Sequence, residues 1–247
     1  MRKFALLIGN TNNLNGVEKD IYDFKNFLKS SIGGAWYDDE IKCILNIRLS
    51  DLYLCLRKIR QYELDYLIFY FSGHGGIDNK GVTRLEINSQ SETISEHNIV
   101  YIAKRQLNIL DCCRVNVLEP SMLNVIDART FSDYSTNLNI YRQLFEKKIL
   151  SSPSQHITLY SCDRGQESIE TICGGVYTQA LLESAFELSY NGDVRVENAH
   201  SLASKKIKCA ISNQTPRGTI TQGINYNQQL IFALKQSNNC FKHWYLQ

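Results

Sequence analysis

Apolar and polar residues follow two periods along the chain, which predicts strands interleaved with helices. Residues 3–9 and 65–72 are apolar on successive positions, as in strands buried on both faces of a parallel sheet. Residues 18–31 and 49–62 carry apolar side chains at helical spacing. The pattern predicts further strands at 40–45, 107–112, 157–161 and 228–234, helices at 138–150, 177–190 and 198–210, and a turn at 215–218. This order predicts an α/β fold, with a mostly parallel central sheet flanked by helices.

Length and composition fit one domain without a nucleic-acid or membrane partner. The 247 residues are 43% apolar, and no linker or repeat divides them, so we predict a single domain over residues 1–247 with a long loop at 115–137. The 27 basic and 25 acidic residues form no basic stripe. The basic start is followed by an apolar stretch too short for a signal peptide, and no stretch could span a membrane. We therefore expect a cytoplasmic protein.

The eight cysteines show none of the spacings typical of common metal or redox motifs. No Cys-x-x-Cys pair occurs, which argues against a zinc ribbon or a thioredoxin-type site. Because several cysteines lie in apolar runs of a chain expected in the cytoplasm, we predict that most are reduced core residues. No acidic string has the spacing of a calcium loop, so we predict a mechanism without metal or other cofactor.

Two motifs that carry chemistry follow predicted buried strands. The segment SGHGG contains His74 and Gly75, and the segment DCCR contains Asp111, Cys112 and Cys113. Parallel strands deliver such residues to one sheet edge, and alternation places Asp111 and Cys113 on one face and Cys112 on the other. Cys113 is therefore the candidate nucleophile and His74 its proton acceptor, with the Gly75 and Cys113 amides as candidate oxyanion donors. The sequence predicts a cysteine hydrolase.

Structural interpretations of the same residues remain open. A histidine in a glycine-rich turn need have no catalytic task, although the pairing with Cys113 favours one for His74. Cys112 is interpreted as a buried small apolar residue. Cys162 also follows an apolar strand, but it lacks a histidine partner in the pattern, and we interpret it as structural.

These residues resemble the caspase-like cysteine peptidases, which include metacaspases and their bacterial relatives. The resemblance covers nearly the whole chain and rests on the segments ALLIGN at 5–10, FYFSGHGG at 69–76, DCCR at 111–114, YSC at 160–162, GGVYTQALL at 174–182 and QTP at 214–216. It implies a caspase-type three-layer sandwich. It also implies that His74 is the base, that Cys113 is the nucleophile and that the Gly75 amide lies in the oxyanion hole.

The resemblance extends to the substrate pocket. Asp111 stands where caspases place a glutamine in their aspartate pocket, and an acid there, as in metacaspases, implies cleavage after Arg or Lys. Asp20 matches a second pocket acid of metacaspases, and Asp163 is a third substrate-binding candidate at a strand end. Two alternatives remain open: Asp111 is a buried acid that orients the loop against Arg114 or backbone amides, or Asp20 relieves exposed amides at a helix start.

The preferred hypothesis is an endopeptidase that cleaves a protein substrate through an acyl-enzyme. The build without a sensor domain implies activation by a partner protein, a protease or a neighbouring product, and basic residues between 115 and 153 are candidate sites of self-processing. The bacterial relatives imply a role in defence or cell death. The alternatives are a catalytically silent protein-binding module and a thiol hydrolase that does not act on peptides.

Overall fold

The computed structural model describes residues 1–115, 138–219, 221 and 223–236. The strands in these ranges are β1 (Lys3–Gly9), β2 (Ile41–Leu45), β3 (Tyr66–Ser72), β4 (Gly75–Ile77), β5 (Thr83–Glu86), β6 (Thr93–Ser95), β7 (Arg105–Asp111), β8 (Gln155–Tyr160), β9 (Glu170–Thr171), β10 (Gly174–Gly175), β11 (Val194–Arg195), β12 (Arg217–Thr219) and β13 (Ile231–Ala233). The α-helices are α1 (Val17–Lys29), α2 (Leu49–Gln61), α3 (Leu138–Ser151), α4 (Val176–Ser189) and α5 (Val196–Ala210).

A six-stranded sheet in the order β12-β8-β7-β3-β1-β2 organises these elements. The five strands from β8 to β2 are parallel, and β12 pairs antiparallel with β8 at one edge. In the pairing of β3 with β7, Ser72 lies opposite Asp111, the last residue of its strand. The carboxyl ends of these two central strands therefore finish level with each other.

Helices cover both faces of the sheet. One core joins the sheet to α1, α3, α4 and α5, with Phe24 and Phe145 among its fully buried side chains. The other core joins the opposite face to α2 and to the small sheet β4–β6, through residues such as Leu56 and Leu85. Within β7, Ile109 belongs to the first core and Leu110 to the second, as the alternation of side chains requires. The predicted three-layer α/β arrangement is confirmed.

The sequence pattern placed the long elements well and the short ones poorly. The turn predicted at 215–218 was wrong, because Arg217–Thr219 forms the antiparallel edge strand β12. The last predicted strand is shortened to Ile231–Ala233, which pairs with β11 outside the main sheet. The patterns of β12 and the small strands are too short to show periodicity. The loop predicted at 115–137 lies, apart from Val115, outside the described residues.

The prediction that most cysteines are core residues was wrong. Seven cysteines fall in the described ranges, and all seven are free thiols. Cys112 and Cys162 are buried, whereas Cys43 and Cys209 are exposed and the other three are partly exposed. Position within an apolar run does not ensure burial, since Cys43 lies on the edge strand β2. Among the helices that the structure describes, none has the length and apolar character needed to cross a membrane.

Candidate active site

His74 and Cys113 reach the same edge of the central sheet. Each lies two residues beyond the opposed pair Ser72 and Asp111, and the Gly73 amide donates a hydrogen bond to the Asp111 carbonyl at 3.1 Å, which keeps the two chains side by side past the strand ends. The Glu170 carboxylate, in β9, interacts electrostatically with both His74 and Cys113. The predicted base and nucleophile therefore share one site.

The imidazole of His74 is oriented by a backbone carbonyl. Its Nε2 lies 2.6 Å from the carbonyl oxygen of Asn12, in the loop between β1 and α1. Because a carbonyl oxygen only accepts hydrogen bonds, Nε2 carries the hydrogen, and Nδ1 is the basic nitrogen of the neutral ring. Gly73 packs closely on the start of the same loop, where its φ of 150° and the 2.9 Å from a Cβ built there to the Asn10 Cβ both disfavour a side chain. Sequence reasoning missed Asn12, because a main-chain carbonyl has no residue signature.

The Gly75 amide points away from the small sheet towards the Cys113 segment. His74 lies opposite Glu86 where β4 pairs antiparallel with β5, and the Glu86 amide donates a hydrogen bond to the His74 carbonyl. His74 and Glu86 are therefore a hydrogen-bonded pair of this antiparallel ladder. Hydrogen-bonded and non-hydrogen-bonded pairs alternate, so the amides of Gly75 and Ile77 both face outward. The Ile77 amide accordingly donates to the Val115 carbonyl at 3.0 Å. The geometry leaves the Gly75 amide directed at the side where Cys113 lies.

The two neighbouring cysteines occupy different environments. Cys112 is buried, and a Cβ built on Gly75 would lie 2.7 Å from its sulfur, which shows how closely the thiol packs there. Cys113 is partly exposed, and its sulfur contacts the backbone of Ser168: the Ser168 amide donates to Sγ at 3.3 Å, and Sγ lies 3.7 Å from the Ser168 carbonyl oxygen. Cys113 thus faces the loop before β9.

The electrostatic environments also separate the thiols at this edge. Burial raises the pKa of Cys112 well above its usual range, and burial raises the pKa of Cys162 to about 12. Burial also raises the pKa of Cys113, and the charges of Glu167, Asp111 and Glu170 act in the same direction. Of these three thiols, Cys113 is the one whose sulfur accepts a hydrogen bond from a backbone amide, and this bond opposes the rise in its pKa.

Asp111 is buried against the amino-terminal turn of α4. Its Oδ2 accepts hydrogen bonds from the Thr178 amide at 3.0 Å and the Thr178 hydroxyl at 2.7 Å. Its Oδ1 accepts a hydrogen bond from the Ser168 hydroxyl at 2.7 Å. Arg114 instead stacks its guanidinium 4.0 Å from the Tyr160 ring centre. Of the two structural partners considered for Asp111, backbone amides are therefore observed and Arg114 is not.

Asp20 joins the same buried region from α1. Its carboxylate accepts the Gly175 amide at 3.0 and 2.9 Å and the Ser72 hydroxyl at 2.7 Å. These contacts join Asp20 to β3 and to the start of α4, and within the described residues its hydrogen-bond donors lie outside the first turn of its own helix. Burial, with the nearby charge of Asp111, raises the pKa of Asp20 well above its usual range, and burial raises the pKa of Asp111. Within the described ranges, no salt bridge includes either carboxyl.

Asp163 is not brought together with this acidic pair. Its carboxylate accepts a hydrogen bond from Arg217 Nε at 2.7 Å and another from the Arg164 amide at 2.8 Å. Its role in substrate binding stays a prediction. Over the part of the chain that the structure describes, no group of three or more His, Cys, Asp or Glu residues is arranged to hold a metal ion.

Comparisons with known proteins place this site in context. The chain resembles two solved structures: caspase-1 from Spodoptera frugiperda, with a TM-score of 0.62, 14% identity and coverage of 96% of this chain and 91% of that one, and a protein from Geobacter sulfurreducens, with a TM-score of 0.60, 13% identity and coverage of 93% and 97%. These likenesses show the shared fold. No curated protein matches the sequence.

A family model settles the classification. The model described as the caspase domain matches residues 2–230, which include every candidate site residue. The predicted resemblance is confirmed, and the chain belongs to the caspase-domain family of cysteine peptidases.

Proposed function

We propose that this protein is a cysteine endopeptidase that cleaves protein substrates after Arg or Lys, with Cys113 as nucleophile and His74 as general base. One observation carries the proposal: a partly exposed thiol, a histidine with Nδ1 as its basic nitrogen and an outward-facing amide meet at one sheet edge, beside two buried carboxylates. Each group fits one requirement of acyl transfer.

The reaction begins with transfer of the Cys113 proton to His74 Nδ1. The thiolate attacks the substrate carbonyl, and the amides of Gly75 and Cys113 donate hydrogen bonds to the oxyanion. The imidazolium then protonates the departing amine, leaving an acyl-enzyme that water hydrolyses with His74 again acting as base. The Asn12 carbonyl keeps the ring in the required tautomer, and the hydrogen bond that it accepts strengthens when the ring becomes positively charged.

The proposed specificity rests on the carboxyls of Asp111 and Asp20. Both lie in one buried region at the site, where burial and the charge of Asp111 raise the pKa of Asp20, as expected of two acids for which the described residues supply no salt-bridge partner. A substrate guanidinium or ammonium supplies a counter-charge to this pair, whereas an aspartate side chain would bring a further acid into the same region. A substrate contact by Asp163 stays a separate prediction, because its carboxylate pairs with Arg217 and does not join the acidic pair.

The direct test uses fluorogenic peptides that differ only in the residue before the cleaved bond. Arg and Lys peptides should be cleaved, while the Asp peptide and the peptide with citrulline, a neutral analogue of arginine, should be poor substrates. Cys113→Ala should abolish cleavage. Asp111→Asn should lower cleavage of the Arg peptide by about tenfold or more and affect the citrulline peptide far less. If the unmodified chain and Asp111→Asn prefer the Arg peptide over the citrulline peptide equally, Asp111 does not belong to the pocket.

Two outcomes would favour the alternative functions. Equal signals from the unmodified chain and Cys113→Ala would support a protein-binding module. Failure to cleave any peptide, with Cys113 still labelled by a small electrophile, would support a different thiol hydrolase. A role in bacterial defence or cell death stays a prediction from the resemblance, and a cytoplasmic location and activation by a partner protein or a protease stay predictions from the sequence.

A further inference from the structure

One residue outside the predicted site contacts two of its members. The hydroxyl of Ser168 donates to Asp111 Oδ1 at 2.7 Å, and the amide of the same residue donates to Cys113 Sγ at 3.3 Å. We propose that Ser168 is a positioning residue, whose bond to the pocket carboxylate holds its amide on the nucleophilic sulfur and thereby favours the thiolate. This inference rests on the proposed function and adds to it a residue that the sequence pattern did not indicate.

The hydroxyl of Ser168 has one defined orientation. Its single hydrogen is donated to Asp111, and its oxygen accepts a hydrogen bond from Gln214 Nε2 at 3.4 Å. Gln214 also fixes the neighbouring backbone, because its Oε1 accepts from the Ile169 amide at 3.2 Å and its Nε2 donates to the Ser161 carbonyl at 3.0 Å. The loop before β9 is thus anchored on one side by Gln214 and on the other by Asp111.

The amide of Ser168 acts directly on the reactive sulfur. A thiolate accepts an N–H hydrogen bond more strongly than a thiol does, so the amide contact at 3.3 Å favours ionisation and opposes the longer contact, at 3.7 Å, in which the thiol donates to the Ser168 carbonyl. Its effect is needed here, because burial and the charges of Glu167, Asp111 and Glu170 all disfavour a negative sulfur. Without the Asp111 contact, the Ser168 backbone loses one of its anchors and the amide is held less firmly against Cys113.

The test compares Ser168→Ala with two matched variants. Ser168→Thr keeps a hydroxyl at the site, and Ser204→Ala removes a serine hydroxyl that donates to the His200 carbonyl within α5. The readout is the rate of Cys113 alkylation by iodoacetamide as a function of pH, followed at that residue by tandem mass spectrometry. Ser168→Ala should shift the midpoint to higher pH and slow alkylation at neutral pH by about fivefold. Ser168→Thr should restore the rate, and Ser204→Ala should leave it unchanged.

Kinetics on the Arg peptide provide a second readout. The proposal expects a lower kcat for Ser168→Ala with little change in KM. Superimposable alkylation profiles of the unmodified chain and Ser168→Ala would overturn it. If the alanine variant does not fold, Ser168→Gly provides the same comparison. Alkylation of Cys113 requires no peptide cleavage, so it tests the role of Ser168 separately from the proposed function. If the chain cleaves no peptide but Ser168→Ala still shifts the alkylation profile, the role of Ser168 is supported and only the peptidase proposal fails.

Discussion

The carboxylates of Asp20 and Asp111 are packed against the same glycine. The Gly175 amide donates to both carboxylate oxygens of Asp20, and a Cβ built on Gly175 would lie 2.3 Å from Asp111 Oδ2. Because Thr178 and Ser168 hold Asp111 in place, that carboxylate has little freedom to withdraw. A residue without a side chain is therefore what allows the two acids to occupy one buried region.

Gly175→Ala should disrupt this arrangement. The added methyl group must displace Asp111 or the start of α4, and overpacking of this kind costs about 1–3 kcal/mol of stability. Thermal unfolding and cleavage of the Arg peptide check the prediction, and both should decline. Gly192→Ala is the matched control, because a Cβ built there has no atom within 4 Å. Equal behaviour of the two variants would show that the region can accommodate a methyl group.

Asp20→Asn should flatten the dependence of stability on pH. Burial raises the pKa of Asp20 well above its usual 3.8, so the unfolded chain releases this proton at lower pH than the folded chain does. The folded state therefore loses stability as the pH rises from the ordinary pKa of 3.8 to the raised pKa of the folded state, and the loss persists at higher pH. The variant lacks the ionisation and should gain stability at neutral pH relative to acidic pH. Thermal unfolding from pH 4 to pH 8 measures the effect.

The control for that series is Glu18→Gln, which changes an exposed acid on the same helix. Its unfolding profile should run parallel to that of the unmodified chain. If the unfolding profile of Asp20→Asn also runs parallel to that of the unmodified chain, burial does not raise the pKa of Asp20 as described above.

His200 should contribute to acid sensitivity with the opposite sign. Burial lowers the pKa of His200 from 6.5 to about 4, and its Nδ1 lies 2.8 Å from the Tyr177 hydroxyl. The unfolded chain binds this proton first as pH falls, so the folded state loses stability between about pH 6.5 and pH 4, by roughly 3 kcal/mol. His200→Gln should reduce that loss in chemical denaturation. His97→Gln, at an exposed histidine, should not.

Cys112→Ala should leave the proposed peptide cleavage largely intact. The Cys112 sulfur is buried, so its removal leaves a small cavity and costs about 1 kcal/mol of stability. Cleavage of the Arg peptide should stay within about threefold of the unmodified chain, and chemical denaturation measures the loss of stability. Loss of cleavage comparable to that of Cys113→Ala would mean that the alternation argument chose the wrong cysteine.

The periodicity of the chain was sufficient for the parts of the site that depend on strand geometry. The two-residue repeat put Asp111 and Cys113 on one side and Cys112 on the other. Cys112 belongs to the core opposite that of Ile109, and Ser168 contacts both Asp111 and Cys113. It failed where pairing depends on distant partners. The edge strand β12 has no repeat of its own and exists because β8 leaves unpaired backbone groups beside it.

The sequence by itself determined which strands deliver His74 and Cys113 to one edge, because the period of side chains along a strand is a local property. Only the tertiary structure decided how those groups are oriented and paired. The Asn12 carbonyl on His74, the Ser168 amide on Cys113 and the shared packing of Asp20 and Asp111 against Gly175 join residues far apart in the chain. Such contacts depend on main-chain groups and on close approach in space, neither of which leaves a periodic signal in the order of residues.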